Sequence, residues 1–498
     1  MAQHSEPDPG IFDDVRSDDI GSRSVKGGVV TVTSQAIKFA LQTASTMVLA
    51  RLLLPSDFGM VAMVTAVVGF FSVFKDAGLS TATIQRSEIT HRQVSALFWI
   101  NVALSFLLTV AAVIIAPLIA WFYDEPRLFG ICFGYAAVIL FGGLGVQHQA
   151  LLRRRMRFKT LAAIEILSLT VGVAVGIGMG VRGAGYWSIV GMHVSQALSN
   201  ALLTWTLSGW LPGWPQKDSG VRPLISFGLG LTGATFFNIV REQLPFLIIG
   251  KMLGSGPLAI FERAYKLMVL PLNHMMPPIS AVALPALSRI SGDSERIRQT
   301  GRKLFLLISG TTVPLSVIAV LTAPELIEIF LGDQWRRAGV IFALLSPLAA
   351  TQAISSVAFW LLTACGQSKI LFRFSAINAL MAAASVWVGV QYSLEAGALA
   401  FSGIGLLVRT PLLYAATVAH TPISWNDLLG NAGLLILSGL LLGASGLLIR
   451  YGVLELTYPS YIWAAVAAGV VALTWIPVAA AQGLPAMLRQ LYATLRST

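Results

Sequence analysis

Residues 100–122 read INVALSFLLTVAAVIIAPLIAWF, a stretch without one charged side chain. As an α-helix, at about 1.5 Å per residue, it covers the roughly 30 Å hydrocarbon core of a bilayer. Comparable apolar runs recur from Gly27 to Gln482, separated by short polar segments. Strands of a membrane barrel alternate instead over segments of about ten residues, a pattern these runs do not follow. Composition agrees: 55% of the 498 residues are apolar and 11% charged, against about 25% charged in soluble domains. Mean hydropathy is +0.75. The chain reads as an all-α integral membrane protein.

Fourteen candidate spans are centred near residues 41, 68, 107, 138, 170, 197, 237, 272, 313, 350, 381, 407, 440 and 471. Residues 1–22 hold Glu6, Asp8, Asp13, Asp14, Asp18 and Asp19 with little apolar content. They read as a disordered tail, not a cleavable leader. Two cysteines, Cys132 and Cys365, are too few for a disulfide framework or a metal site. The net charge of +11 fits cytoplasmic loops rich in Lys and Arg better than a nucleic-acid partner. With the N-terminus inside, the inner loops carry Arg86 and Arg92, the run Arg153, Arg154, Arg155, Arg157 and Lys159, and Lys217 and Arg222. Further along they hold Arg289, Arg296, Arg298, Arg302 and Lys303, then Lys369 and Arg373. An even number of spans then places both termini in the cytoplasm of a multi-pass inner-membrane protein.

The sequence also resembles itself at a distance of about 200 residues. Ala116-Pro117-Leu118-Ile119-Ala120-Trp121-Phe122 recurs, with one insertion, as Ala323-Pro324-Glu325-Leu326-Ile327-Glu328-Ile329-Phe330. Arg51-Leu52-Leu53 matches Lys251-Met252-Leu253, and the basic loop at Arg153–Lys159 matches Lys369–Arg373. Six-span repeats face the same way, and in such transporters the substrate site lies near the bilayer midplane. The expected organisation is a cytoplasmic tail at 1–26, an N-lobe at 27–210, a linker at 211–223 and a C-lobe at 224–420. A terminal helix pair at 430–482 and a tail at 483–498 complete it.

Ionisable groups inside spans are costly, so each is a candidate for function. The first half offers Lys38, with Lys75 and Asp76 in the next span; the second offers Arg241 and Glu242, then Glu262, Arg263 and Lys266. Lys38 and Arg241 sit at nearly equivalent depths in equivalent helices. Cations there suit an anion, because a bare diphosphate is strongly disfavoured in hydrocarbon and Lys or Arg binds phosphate oxygens directly. Lys38, Lys75, Arg241, Arg263 and Lys266 are therefore the candidate substrate ligands. Asp76 and Glu242 are the candidate carriers of a coupling proton or sodium ion. Glu262 and Lys266, four residues apart, are spaced to pair. Glu165, Glu325, Glu328 and Arg409 read as structural or interfacial. Pro245, Pro271, Pro277, Pro278 and Pro285 are expected to bend their helices.

Several stretches resemble the Wzx-type polysaccharide flippases of the multidrug/oligosaccharidyl-lipid/polysaccharide (MOP) exporter superfamily. They are Leu49-Ala50-Arg51-Leu52-Leu53-Leu54-Pro55-Ser56-Asp57-Phe58-Gly59, Asp76-Ala77-Gly78-Leu79 with Ile84-Gln85-Arg86, and Ile249-Gly250-Lys251. Arg263-Ala264-Tyr265 with Leu270-Pro271 and Leu284-Pro285-Ala286-Leu287-Ser288-Arg289 continue the match. The resemblance implies two six-helix lobes plus two helices, a central cavity lined by the first two helices of each lobe, and an oligosaccharide joined through diphosphate to a polyprenyl lipid. Many relatives place an acidic residue shortly before the Ile-Gly pair, where this chain has Pro245.

The function expected is a flippase carrying the lipid-linked repeat unit of an exopolysaccharide, capsule or lipopolysaccharide from the cytoplasmic to the periplasmic leaflet. It would act by alternating access around a cationic cavity, not as an enzyme, and without a bound cofactor. Its partners are the lipid-linked oligosaccharide, membrane lipids and a polysaccharide synthesis complex, not nucleic acid. An exporter of small cations would want acidic cavity groups. A membrane-embedded polymerase or ligase would want a large outer loop, and every connection here is short.

Overall fold

The computed structural model describes residues 17–76, 78–86, 89–215, 239–240, 242–452 and 460–481. Among them there is no strand. They form two compact units divided between Ala259 and Ile260.

The first unit holds α1 (Ser17–Leu52), α2 (Pro55–Asp76), α3 (Leu79–Gln85), α4 (His91–Tyr123), α5 (Leu128–Arg154), α6 (Phe158–Val181) and α7 (Trp187–Ser208). Helical residues 242–253, here α8, follow. Helix α9 (Ser255–Arg289) crosses the division. The second unit continues with α10 (Ser294–Leu321), α11 (Ala323–Leu331), α12 (Arg336–Ala364), α13 (Ser368–Val390), α14 (Leu394–Ile404), α15 (Thr410–His420), α16 (Trp425–Leu429), α17 (Asn431–Gly452) and α18 (Ser460–Ala481). Helix α1 begins at Ser17, so helix reaches into the stretch read as a tail. The span expected near 237 lies largely outside the described residues, as does most of the 211–223 linker.

Among the described residues, eight helices are long and apolar enough to cross a membrane, or nine if one bent pair is a single span. That pair is α9, where Ser255–Pro277 and Val282–Arg289 diverge by 48°. Proline lacks the amide proton that its helix position requires, and its ring crowds the preceding turn; the bend falls where Pro277 and Pro278 stand together. The apolar faces agree with a lipid setting. On α4, Phe106, Leu107, Ile114, Leu118 and Trp121 are all exposed, Trp121 to 75%. Water does not tolerate so continuous an apolar stripe.

Packing in the first unit explains how charged side chains on distant stretches meet. Gly172, Gly176 and Gly180 recur every fourth residue along α6, the spacing that lets membrane helices approach closely. A methyl at Gly172 would lie 2.8 Å from Gln196 Cβ on α7, and one at Gly180 would touch Leu49 and Leu52 of α1. Helix α6 is thus held between α7 and α1. In the second unit α10 packs on α12, α17 and α18. Trp475 of α18 donates its indole N–H to the Gly310 carbonyl at 3.0 Å, beside a core that includes Phe305, Leu361 and Leu413.

One turn occurs in both units. After α5 the amides of Arg155, Met156 and Arg157 donate to the carbonyls of Leu151, Arg153 and Leu152, at 3.0, 2.9 and 2.9 Å. After α12 those of Cys365, Gly366 and Gln367 donate to Leu361, Thr363 and Leu362, at 2.9, 3.0 and 2.8 Å. Both are helix stops in which one residue adopts the left-handed conformation: Met156 at φ 53° and Gly366 at φ 71°. No atom crowds Gly366, so Gly366→Ala adds backbone strain alone. We expect it to destabilise the protein by about 1–2 kcal/mol, measured as a lower unfolding temperature in detergent.

Candidate functional site

Lys38 stands on α1 and Glu165 on α6, 127 positions apart, and the packing of α6 against α1 brings them together. Lys38 Nζ donates to Glu165 Oε2 at 2.5 Å, with the side chains 17% and 35% exposed. An ammonium removed from water requires a compensating charge, and the carboxylate supplies it. On sequence alone Glu165 reads as structural, because nothing local links it to Lys38. The pair leads into a polar chain across the unit. Ser168 Oγ donates to the Glu165 carbonyl at 3.2 Å, and Asn200 Nδ2 on α7 to Ser168 Oγ at 3.4 Å. Gln149 Nε2 on α5 donates to Asn200 Oδ1 at 2.7 Å.

Lys75, in the last turn of α2, lays its ammonium against Gly142 of α5, where a methyl group would lie 2.8 Å from Nζ. Its neighbour Asp76 caps α3. One carboxylate oxygen accepts from the Ser80 amide at 2.9 Å and the other from the Ser80 hydroxyl. A carboxylate at a helix start satisfies amides that have no partner within the helix and meets the positive end of its dipole. Arg154 closes the other end of α3, donating to the carbonyls of Thr83, at 3.1 Å, and Arg86. Glu242 on α8 is exposed. Arg241, the residue matched to Lys38 by depth, lies outside the described residues.

In the second unit, the spacing that predicted a Glu262–Lys266 pair is realised, and a third residue joins it. The buried Glu262 carboxylate meets Lys266 Nζ through one oxygen and Arg263 Nε, at 3.0 Å, through the other. The three together carry one positive charge. Arg263 is nearly enclosed while Lys266 reaches outward, 58% exposed. The flanking aromatics Phe261 and Tyr265 pack on Phe401. Over the Phe401 ring, 4.7 Å from its centre, sits the Arg409 guanidinium. Arg409 is buried, donates to the Phe401 carbonyl at 2.7 Å, and ends a π-helical segment, Gly405–Arg409, between α14 and α15. Such segments break helix regularity and gather at functional sites. Among the described residues no group of three or more His, Cys, Asp and Glu side chains is placed to hold a metal ion.

The profile of the family described as polysaccharide biosynthesis protein (Polysacc_synt_3) matches residues 48–340, more than half of the chain. The chain belongs to this family. Curated relatives agree. The family member here is 24% identical to the lipopolysaccharide biosynthesis protein WzxC of Escherichia coli (strain K12) over 74% of this chain and 75% of that one. It is 26% identical to the teichuronic acid biosynthesis protein TuaB of Bacillus subtilis (strain 168), over 65% and 67%. With the succinoglycan biosynthesis transport protein ExoT of Rhizobium meliloti (strain 1021) it shares 25% over 72% and 73%. Among solved structures, the lipid II flippase MurJ in an inward closed conformation superposes with a TM-score of 0.70 over 91% of this chain and 98% of that one, at 15% identity. An inward-facing multidrug-resistance MATE transporter of the MOP superfamily gives 0.57 over 83% and 96%, at 14% identity. The Wzx-type resemblance drawn from the sequence motifs is borne out, and the family member has the fold of MOP transporters. It is a multi-pass membrane protein.

Proposed function

We propose that the chain moves a polyprenyl-diphosphate-linked oligosaccharide from the cytoplasmic to the periplasmic leaflet for assembly of a surface polysaccharide. The observation that carries the reading is membership of a polysaccharide biosynthesis family by a chain with the MOP transporter fold. Relatives named for lipopolysaccharide biosynthesis and succinoglycan transport give the substrate class. In this reading there are fourteen spans in two six-helix repeats plus a terminal pair, with both chain ends in the cytoplasm. The matching turns at Arg155–Arg157 and Cys365–Gln367 support the repeat.

The mechanism we infer is alternating access around a cationic cavity. Lys38, Lys75, Arg241, Arg263 and Lys266 supply the charge that offsets desolvation of the diphosphate. An inside-negative potential favours outward movement of the anion by about 2.3 kcal/mol per charge per 100 mV. Of the two carboxylates proposed to carry a coupling ion, Asp76 caps α3 and Glu242 is exposed. Deleting the gene is expected to leave lipid-linked oligosaccharide accumulating while polymer disappears from the cell surface; extraction and mass spectrometry of the lipid pool check this. A deletion strain that keeps its polymer and accumulates no such lipid contradicts the reading.

A further inference from the structure

The Lys38–Glu165 pair poses a problem that the proposed function alone does not solve. A carrier that delivers an anion must return empty, with its binding cation still inside the membrane. A lone ammonium closing into a drier interior is strongly disfavoured unless another charge replaces the departed anion. The first unit contains such a charge: Glu165 Oε2, 2.5 Å from Lys38 Nζ. The two residues stand on different helices, and both side chains are partly accessible, Glu165 to 35%. A ligand phosphate can therefore reach the ammonium as the carboxylate turns aside.

We propose that Glu165 is the internal counter-ion of the empty carrier: it holds Lys38 when no substrate is bound and yields it to a phosphate of the lipid diphosphate. This rests on the reading of the chain as an alternating-access flippase and assigns Glu165 a positioning role in its return step. Two consequences follow with opposite signs. Because the tethered carboxylate competes with substrate, removing its charge tightens substrate binding. Because the empty site then holds an uncompensated ammonium, the same change slows the empty return. Exchange of bound substrate for substrate across the membrane never passes through the empty state, so exchange survives.

The test uses the full chain in proteoliposomes, with polyprenyl-diphosphate oligosaccharide extracted from the deletion strain and tritiated on its sugar as the probe. Wild type and Glu165→Gln are compared for binding, for one-way net flux and for exchange against the same unlabelled lipid. Glu165→Gln is expected to bind about tenfold more tightly, the advantage that a tethered competitor withholds. It is also expected to lose about tenfold in net flux while exchange stays within about twofold of wild type, as only the empty step is slowed. Glu165→Asp, which keeps the charge, is expected to recover net flux. Equal loss of flux and exchange in Glu165→Gln, or unchanged values of both, overturns the counter-ion role. Failure of wild type to bind or exchange the probe overturns the flippase reading itself. If Glu165→Gln does not fold, Glu165→Ala read in the same three assays decides.

Discussion

Replacing both Lys38 and Arg241 by Ala is expected to abolish polymer export while the chain still inserts in the membrane. Each cation removed costs a charge-assisted bond to phosphate of about 1.5–3 kcal/mol. Two such losses lower transport at least about a hundredfold. Folding is expected to be spared because Glu165, left behind by Lys38, is 35% exposed and so is not enclosed by protein. Export is read as surface polymer, and insertion as the amount of full-length protein in the membrane fraction. Normal export by the double variant contradicts the cationic site; lost export with lost protein marks a folding defect, which Lys38→Gln alone then separates from function.

The largest effect on stability is expected at Glu262. Its carboxylate is 5% exposed and offsets Arg263, which is 14% exposed. Removing the buried carboxylate of such a pair costs about 3 kcal/mol or more. Lys266 is 58% exposed, and a solvated partner contributes at most about 1 kcal/mol. Glu262→Ala therefore lowers the unfolding temperature in detergent much further than Lys266→Ala. Equal shifts contradict the assignment of Glu262 as the buried centre of the trio.

What the amino-acid order made legible was set by the range of the interactions involved. Apolar runs identify helices because the bilayer core imposes one length on each, and the Glu262–Lys266 pair was visible because four residues make one turn. The capping of α3 by Asp76 had a local signal, too: Asp76, Gly78 and Ser80 stand together where a helix must stop and restart. A reading of Asp76 as a charge inside a span passes over that signal. The Lys38–Glu165 pair had no local signal. Its partners meet because α1 packs against α6, a contact between segments far apart in the chain. Arg409 was visible as an ion in a span, but its seat over Phe401 depends on a π-helical turn, which no spacing rule for regular helices anticipates. The counter-ion of Lys266 could be read from helix spacing, and that of Lys38 could not.

The flippase reading is tested most directly by the leaflet position of the extracted lipid-linked oligosaccharide in proteoliposomes holding only this chain. A membrane-impermeant enzyme that trims exposed sugar reports that position. The account predicts that wild-type protein delivers the lipid to the opposite leaflet, faster when the receiving side is positive, and that the Lys38→Ala, Arg241→Ala double variant does not. Equal rates in the wild type, the double variant and protein-free vesicles would contradict it.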